Sequence, residues 1–405
     1  MASIEYIQYD ECYNALVSRY GLQPKLQEIS HVVNIAPEVT AYILIDGSMG
    51  EGGGQIIRLS IVMAIILGIP IHIINIRSNR PNPGLQNSNL TVLNALLSIA
   101  GGILSTSDTE QIEPIVGSTS IYYLPPIEPK QLKPYYKFDI GSAGSTTIVY
   151  QAIILLIDYF LIMQSVLKQV DIELIGGTEV PFSPPKLFFE KTLNNIYDKL
   201  GCKVISEVTK DGFYPIGKGI HKVSIYKPTD PIKNNFTDST FITNIKLSVV
   251  YTDTELASKS AFKAKTILEK LSKGTVNLVK SNADGNAFMY IAQIIKDDMS
   301  EHITIYTDKN TTIESMAQNL MKQIHKISLS VAPISEHLAD QIIPHLMLSG
   351  GGSFIVSSLN DYSLHLITLI DLFRMLMPSI IIDIEKVDIG YLINCLLYTS
   401  DAADE

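Results

Sequence analysis

Apolar and polar positions along the chain follow two periods in turn, and the change of period predicts where strands give way to helices. Residues 42–47 are apolar and close on Asp-Gly, as a strand before a turn does. Residues 55–68 then carry apolar side chains at helical spacing and stop at a glycine. The rest of this first unit is predicted as strand 71–76, helix 90–100, and strands 120–125 and 136–141.

This order of elements returns twice further along the chain. The second succession is predicted as helix 146–163, strand 170–176, helix 186–200, and strands 203–208 and 222–226. The third is predicted as helix 338–348, strand 353–358, helix 366–376 and strand 379–384. Repeated α/β units of this kind stack their helices on one face of small sheets. The predicted fold class is therefore α/β (α+β), with repeated βαβαββ-type units forming a large domain.

A change of pattern interrupts the repeats. Residues 224–328 contain more lysine, longer polar loops and a strand–helix alternation of their own, which predicts a smaller inserted α/β domain. The host domain is then discontinuous and comprises 41–223 and 329–394. Residues 1–40 form an N-terminal extension to which the sequence assigns no chemistry. Residues 395–405 follow none of the patterns and resemble translated adapter sequence, so we expect an artefactual tail.

Composition and charge narrow the class of protein. The chain has 405 residues, of which 46% are hydrophobic and 18% charged, and this excludes a disordered protein. Its formal net charge is −10, whereas proteins that grip long stretches of nucleic acid are normally basic on one face. The charge therefore argues against extensive coating of nucleic acid. It leaves room for a small basic pocket that holds a short anionic ligand.

Cysteine usage and the apolar stretches indicate a compartment. The three cysteines are far apart and form no CxxC pair, which excludes a zinc site and a disulfide framework and suits a reducing environment. The N-terminal residues lack the pattern of a signal peptide. The apolar stretches are broken by polar residues such as Asp158 and fall short of the roughly 20 residues of a membrane span. We expect a soluble, intracellular protein without a membrane partner, cytoplasmic or, in a eukaryote, nuclear.

The loop between the first strand and the first helix is a candidate anion site. Residues 46–55 read DGSMGEGGGQ and include Glu51, and the following helix carries Arg58. Glycines before a helix let backbone N–H groups approach an anion, and the helix dipole favours negative charge there. Arg77 and Arg80 flank a proline-rich turn shortly afterwards, and arginine suits bidentate phosphate recognition. The plainer alternatives are a tight turn for the loop and a solvated surface pair for the arginines.

Three histidines near the end of the chain are candidates for chemistry. His337 opens the segment HLADQ, with Asp340 and Gln341 one helical turn further on, and His345 lies within the same apolar helix. His365 stands at the start of the last predicted helix. The dipole at a helix N-terminus favours the neutral imidazole, the form that a nucleophile attacking phosphorus needs. A core or capping histidine remains the alternative from position alone.

Seven motifs resemble those of the RNA 3′-terminal phosphate cyclase family in order and approximate spacing, and together they cover about 42–390. They are GEGGGQIIR, IRSNRPNPGL, IGSAGSTTIVYQ, GGTEVPFSPP, GFYPIGKG, EHLADQ and GGGSFIV…SLHLIT. Each motif alone is weak, and their common order makes the resemblance specific. The family fold, repeated βαβαββ-like units with a small inserted domain, agrees with the periodicity.

The resemblance implies an ATP-dependent ligase that acts in RNA processing. Members of the family use ATP and a divalent cation, here expected to be Mg²⁺, to adenylylate an active-site histidine with release of pyrophosphate. The AMP passes to an RNA 3′-phosphate, and the adjacent 2′-OH then attacks to give a 2′,3′-cyclic phosphate and free AMP. Covalent catalysis divides one difficult displacement into easier ones, and the cation offsets phosphate charge. RNA 3′ ends and ATP are thus the expected partners.

The same resemblance assigns roles to individual residues. The family nucleophile lies in an S-x-H segment before the last helix, which here ends in His365. Glu51, Arg58, Arg77 and Arg80 are expected to face the triphosphate or the RNA end, and Asp340 or Glu51 to help hold the cation. The residues expected at the ATP site are Gln151, Pro184, His337, Leu338, Ala339, Asp340 and Gln341.

The chain departs from the family pattern at several positions. The usual Gln-His pair after PGL is replaced by Ser88 and Asn89, and the basic residue before GFYP by Asp211. Lys218 stands within the usual triple glycine, and Leu187 replaces a polar residue. Three residues are also inserted between GGGSF and the histidine. These departures bear on substrate affinity, on rate and on the exact chemistry at the RNA end.

Two other function classes compete with an active cyclase. One is a non-catalytic, cyclase-like protein that keeps the fold and acts in ribosomal RNA processing; such relatives lack the nucleophile that this chain retains. The other is an enolpyruvyl- or sugar-ring-transferring enzyme built from similar repeats, which no motif in the sequence supports.

Overall fold

The computed structural model describes residues 27–28, 41–106, 113–164, 166–307, 311–359, 364–377 and 380–397. Its first sheet pairs in the order β1-β2-β3-β5-β4, with β2 and β3 parallel and the other neighbours antiparallel. The strands are β1 (Gln27–Glu28), β2 (Ala41–Asp46), β3 (Ile71–Ile74), β4 (Ile103–Ser105) and β5 (Ile121–Leu124). Helices α1 (Gly54–Leu67) and α2 (Asn87–Ala100) connect them.

The second sheet, in the order β6-β7-β9-β8, repeats the β2-β3-β5-β4 part of the first, with one parallel pair followed by two antiparallel pairs. Its strands are β6 (Tyr135–Asp139), β7 (Gln169–Gly176), β8 (Val204–Lys210) and β9 (Gly219–Tyr226). Its helical segments are α3 (Thr146–Gln164), a π-helical turn (Phe188–Leu193) and α4 (Asn194–Lys199). The helix predicted over 186–200 is confirmed as one run of helical residues, in which a π-helical turn at 188–193 precedes α4.

The third sheet pairs in the order β10-β15-β17-β16 and has the same arrangement of parallel and antiparallel neighbours. Its strands are β10 (Asn235–Phe236), β15 (Gly352–Val356), β16 (Ile380–Val387) and β17 (Gly390–Leu397), and its helices are α7 (Glu336–Leu348) and α8 (Leu364–Leu376). The repeated α/β units predicted from the sequence are confirmed. Neither β4, which has three residues, nor β17, which lacks clean alternation, was predicted.

The inserted domain lies inside the third repeat, between β10 and α7. It contains β11 (Ile242–Thr252), α5 (Glu255–Ser272), β12 (Val276–Ser281), β13 (Phe288–Lys296), β14 (Met299–Tyr306) and α6 (Ile313–Ser328), with strand order β12-β11-β13-β14. The boundary expected at residue 224 lies within β9, so the insert begins only after β10. The boundary expected at 394 lies within β17, which continues to residue 397. The proposed artefactual residues beyond 397 lie outside the described residues.

The helices of the three repeats pack on one another and form one core. Contacts join α1 with α3 and α8, and α3 with α7. Helix α1 buries residues around most of its circumference, which is typical of a helix at the centre of a core. By contrast, β7 buries alternate residues, so its sheet has one covered face. Helix α3 is long and apolar enough to cross a membrane, but 72% of that stretch is buried inside the protein, as in a core helix.

A polar network joins the host domain to the insert. Lys186 pairs with Asp211, whose carboxylate also accepts a hydrogen bond of 2.6 Å from Ser281 of the insert. Nearby, the buried carboxyl of Glu179 accepts a hydrogen bond of 3.1 Å from Tyr306, also of the insert. Burial raises the pKa of Glu179 to about 8, against the attraction of Lys186. The interface thus contains a carboxyl group that keeps its proton at neutral pH.

The glycine-rich loop before α1 is held by α8. The backbone N–H of Glu51 donates a hydrogen bond of 3.0 Å to Thr368 Oγ1, and that hydroxyl donates to the carbonyl of Leu364 at 2.6 Å. Gly50 has a φ of +53°, and a Cβ placed there would lie 1.9 Å from Thr368 Oγ1. Only glycine therefore lets the loop approach α8 this closely.

Replacing Glu179 by Gln is expected to change how stability depends on pH. Between its ordinary pKa near 4.5 and its folded value of about 8, Glu179 keeps its proton only in the folded state. Its contribution to stability therefore falls as pH rises through this window, because the unfolded state alone releases the proton. The melting temperature of Glu179→Gln should exceed that of the wild type increasingly from pH 5 to pH 8. Thermal unfolding followed by circular dichroism measures these melting temperatures. Glu207→Gln, at an exposed position of β8, is the control. An equal dependence of melting temperature on pH in Glu179→Gln and wild type would contradict the prediction.

Replacing Gly50 by Ala is expected to destabilise the protein more than Gly141→Ala. Gly141 also has a positive φ, +69°, but a Cβ there would meet nothing within 4 Å. The Gly141 variant therefore reports the backbone strain alone, about 1 kcal/mol. Overlap with Thr368 should add roughly 1–3 kcal/mol in Gly50→Ala. Denaturant unfolding gives both values, and equal losses would show that the close approach to α8 is not required.

Candidate active site

The N-terminal turns of four helices, drawn from all three repeats, meet at one place. Gln55 lies in the first turn of α1, Gln151 in the second turn of α3, and His365 in the first turn of α8. Asp340 and Gln341 lie in the second turn of α7. Because each helix N-terminus carries partial positive charge, their convergence favours a ligand with negative charge.

A chain of hydrogen bonds links these side chains. His365 Nδ1 lies 3.0 Å from Gln55 Oε1, and Gln55 Nε2 donates to Asp340 Oδ2 at 2.9 Å. Gln341 Nε2 donates to the same Asp340 oxygen at 2.8 Å. The chain ends at Gln151, which donates to Gln341 Oε1. Four of the predicted site residues are thus brought together, and Gln55, which was not predicted, connects His365 to the other three.

Glu51 and Arg80 flank His365 on the side of the glycine-rich loop. The two side chains form an ion pair, and Arg80 also donates to the backbone carbonyl of Glu51 at 2.8 Å. The other carboxylate oxygen of Glu51 lies 3.8 Å from His365 Nδ1. The imidazole itself is half exposed, with 51% of the side chain accessible, so an incoming ligand can reach it.

Arg58 supplies a positive charge beneath these carboxylates. Burial lowers the pKa of Arg58 to about 10, and the charges of Glu51 and Asp340 oppose this shift. The guanidinium therefore stays cationic at neutral pH. Burial raises the pKa of Asp340, whereas its hydrogen bond from Gln341 and the neighbouring basic side chains act against that shift. The site thus places the carboxyl groups of Glu51 and Asp340 near the guanidinium of Arg58.

Arg77 occupies the turn after β3 in a strained conformation. Its φ is +54°, a region that residues other than glycine rarely adopt. Its Nε is buried and has no hydrogen-bond partner among the described residues. Burial lowers the pKa of Arg77, as does the adjacent charge of Arg80. A buried donor without a partner beside a second arginine is an arrangement that an anionic ligand can satisfy.

A cavity of about 40 Å³ opens between α1, α3 and α7. Its wall includes Gln55, Arg58, Gln151, Tyr197, Gln341 and His345. This volume accommodates ordered water rather than a whole nucleotide, because ligand pockets are commonly about 300–1,000 Å³. A nucleotide would therefore extend beyond this cavity.

The other residues expected at the ATP site lie outside the hydrogen-bond chain that links Gln151 to His365. Leu338 and Ala339 are packed in the core and do not line the cavity. His337 is exposed at the start of α7, close enough for its charge to influence the pKa of Asp340. The carbonyl of Pro184 accepts a hydrogen bond of 2.9 Å from Thr147 at the start of α3. Their roles in ATP binding stay predictions.

The carboxylates could hold a metal ion only with help from a ligand. Among the residues that the structure describes, no group of three or more His, Cys, Asp or Glu side chains is placed to bind a metal. One Asp340 oxygen accepts from two amides, and Glu51 pairs with Arg80. Mg²⁺ is commonly bound by one or two carboxylates together with substrate phosphates. Asp340 or Glu51 fits that kind of site, which the triphosphate would complete.

The positions at which the chain departs from the family pattern have structural explanations. Asn89 is buried, and its side chain accepts a hydrogen bond of 3.0 Å from the backbone of Gln86, which caps α2. Asp211 belongs to the network with the insert, and Leu187 packs against the small apolar cluster between the two domains. Lys218 is exposed at a φ of +57°, where glycine would be unstrained. None of these four residues takes part in the hydrogen-bond chain at His365.

Sequence patterns missed two residues of the site. Gln55 ends the glycine-rich motif, and its helix-start position was noted without a role. Thr368 lies one turn after His365 in an apolar helix, where nothing in the sequence marks it. Only the packing of α1 against α8 shows that both residues hold the ends of the site together.

Comparison with known proteins identifies the family. A sequence profile described as RNA 3′-terminal phosphate cyclase matches residues 49–381. The chain is 30% identical over 354 residues to an RNA 3′-terminal phosphate cyclase of Staphylothermus marinus, covering 83% of this chain and 92% of the relative. It is 27% identical to that of Hyperthermus butylicus, with 83% and 92% covered, and 28% identical to that of Methanococcoides burtonii, with 79% and 90% covered. Because the profile spans more than half of the sequence, the chain belongs to the RNA 3′-terminal phosphate cyclase family.

Proposed function

We propose that this enzyme converts an RNA 3′-terminal phosphate to a 2′,3′-cyclic phosphate at the expense of ATP, through an AMP group carried on His365. Family membership supports the activity. The observation that carries the assignment of His365 is its hydrogen bond to Gln55, at the meeting point of the helix N-termini. A nucleophile, an orienting partner and cationic groups are there within reach of one another.

The partners of Gln55 determine which nitrogen of His365 can attack. Asp340 Oδ2 accepts hydrogen bonds from the NH₂ groups of both Gln55 and Gln341, so the NH₂ end of Gln55 faces this carboxyl group. The oxygen of Gln55 then faces His365 and accepts a hydrogen bond from Nδ1–H. Glu51, 3.8 Å from the same nitrogen, favours this tautomer as well. Nε2 is left with its lone pair and is the atom that attacks the α-phosphorus.

The same surroundings suit the charge changes of the reaction. Attack on ATP forms an N–P bond, breaks the bond to pyrophosphate and leaves His365 with AMP. The N-terminal turns of α1 and α8, with Arg58 and Arg80, offer positive potential to the triphosphate. A divalent cation bound with the phosphates would neutralise further negative charge, with Asp340 or Glu51 as protein ligand.

Transfer of AMP to RNA completes the cycle. An oxygen of the RNA 3′-phosphate attacks the phosphorus of the adenylylated histidine and breaks its N–P bond, which frees the imidazole. The resulting phosphoanhydride with AMP activates the terminal phosphorus of the RNA. The adjacent 2′-OH then attacks that phosphorus, closing the 2′,3′-cyclic phosphate and releasing AMP. Arg77 has a buried donor without a partner among the described residues and is positioned to bind a phosphate of the RNA end.

A non-catalytic role in ribosomal RNA processing finds no support in this arrangement. Such a protein needs no nucleophile, yet His365 is half exposed and held in a defined orientation by Gln55. Without catalysis, the placing of the Gln55 amide and the Glu51 carboxylate at His365 Nδ1 would have no chemical consequence.

Removal of the imidazole is expected to abolish the covalent intermediate. Wild-type protein incubated with α-labelled ATP and Mg²⁺ should retain label through denaturing electrophoresis. His365→Ala should lower the rate of labelling by about 10³-fold or more, because the bond to AMP can no longer form. His325→Ala, at an exposed histidine of α6, is the matched control and should label normally. Unchanged labelling of folded His365→Ala would assign the nucleophile elsewhere.

Replacing Arg77 by Ala is expected to weaken cyclisation of RNA ends. Loss of a charge-assisted phosphate contact should lower kcat/KM for a 3′-phosphorylated oligonucleotide by about 10- to 100-fold. Arg77→Lys should recover part of this loss, since it restores the charge without the planar fork. Lys322→Ala, on the exposed face of the insert, serves as the charge-matched control. Normal turnover by Arg77→Ala would refute the phosphate role.

A further inference from the structure

A second polar contact joins α3 to α7 at the inner end of the cavity. His345 Nε2 lies 3.3 Å from Asp158 Oδ2, and the two side chains are only 2% and 0% exposed. The two atoms lie within contact distance, but neither the carboxylate nor the imidazole has a hydrogen-bond partner of good geometry among the described residues. The carboxylate also meets the thiol of Cys202. The proposed reaction uses neither group.

The contact extends the arrangement that holds the site. Gln151 and Asp158 are seven residues apart on α3, two helical turns, and therefore share a face. Gln341 and His345 are four residues apart on α7 and share a face too. The hydrogen bond from Gln151 to Gln341 and the contact of Asp158 with His345 thus tie the same two helices at two levels. Cavity-lining residues of both helices lie between these levels.

Helix α7 needs support from outside at this point. Pro344 lies within the helix and has no N–H, so the carbonyl of Asp340 lacks its usual partner four residues on. The turn that carries Asp340 and Gln341 is therefore held less firmly by the helix itself. The ring of Tyr197 packs on His345 with 3.8 Å between ring centres, and its hydroxyl lies 3.4 Å from the carbonyl of Gln341.

The energetics of the contact point away from simple stabilisation. Burial raises the pKa of Asp158, which shows that this carboxyl is costly to ionise among apolar side chains. Replacing a buried ion pair by well-packed apolar residues is often neutral or stabilising. Two polar groups, unlike two apolar groups, interact best in one relative orientation, and this favours one placement of α7 on α3.

We propose that Asp158 and His345 are positioning residues, which hold α7 against α3 so that Asp340 and Gln341 keep their hydrogen bonds and Gln55 stays aligned with His365. This inference rests on the proposed adenylylation of His365 for its effect on rate. Neither residue touches the reacting atoms. The pair acts through the backbone of α7.

Near-isosteric replacement of one partner provides the first test. Asp158→Asn should lower the single-turnover rate of adenylylation by about 10- to 100-fold, because small misplacements at a reacting centre have effects of this size. The KM for ATP should change much less, since the triphosphate contacts remain. Tyr150→Phe is the matched control: it also removes a buried polar contact of α3, the 2.7 Å hydrogen bond to Asn194, away from the cavity wall. Normal adenylylation by Asp158→Asn, or an equal loss of rate in the control, overturns the proposal.

Two double variants separate positioning from packing and from direct contact with the nucleotide. Exchanging the partners, Asp158→His with His345→Asp, should recover most of the rate lost in either single variant, which contact of His345 with the nucleotide would not allow. The apolar pair Asp158→Leu with His345→Phe should restore the melting temperature but leave adenylylation slow. Full recovery of the rate by the apolar pair, or failure of the exchange to recover any, overturns the proposal.

Amide hydrogen exchange gives a readout that does not depend on the reaction. In Asp158→Asn, amides of 336–348 should exchange faster than in the wild type, while those of 313–328 in the insert stay unchanged. Unaltered exchange in 336–348 overturns the positioning role even if the protein is active. If wild-type protein forms no adduct, the proposed function fails, and the exchange rates still decide whether the pair holds α7.

Discussion

The amide of Gln55 is the interaction on which the site depends. One end of this group faces the carboxylate of Asp340 and the other faces the imidazole of His365, so a single side chain relates the third repeat's two helices to the first. Because an amide donates at one end and accepts at the other, its orientation towards Asp340 decides which end faces His365. The orientation of the imidazole is thereby set by one contact.

That contact exists because the three repeats share a topology. Each repeat sends helices into a common core, and their N-terminal turns come together at one end of it. No repeat contains a complete site: α1 supplies Gln55, α3 supplies Gln151, and α7 and α8 supply Asp340 and His365. The repeats supply similar helix N-termini with their dipoles, and the side chains that differ between the repeats supply the reactive groups.

Much of the fold and part of the site could be predicted from the sequence. Strands and helices with clean periodicity were found, because burial of one face leaves a regular pattern. The short β4 and the π-helical turn Phe188–Leu193 within the predicted helix escaped, since their conformation depends on tertiary contacts. Glu51, Arg80, Asp340 and His365 could be named from motifs, but Gln55 could not be given a role. Its role depends on which atoms face it across more than 280 positions of sequence.

The place of the insert affects how the enzyme forms. Strand β10 pairs with β15 only across the whole inserted domain, which lies between them along the chain. Closing so long a loop is entropically costly while the intervening chain is unfolded, and cheaper once it has become compact. The helix that carries Asp340 follows the insert directly. Assembly of the active site during synthesis therefore waits for a domain that contributes no residue to the hydrogen-bond chain, and a slowly folding insert would delay catalysis without altering the mature enzyme.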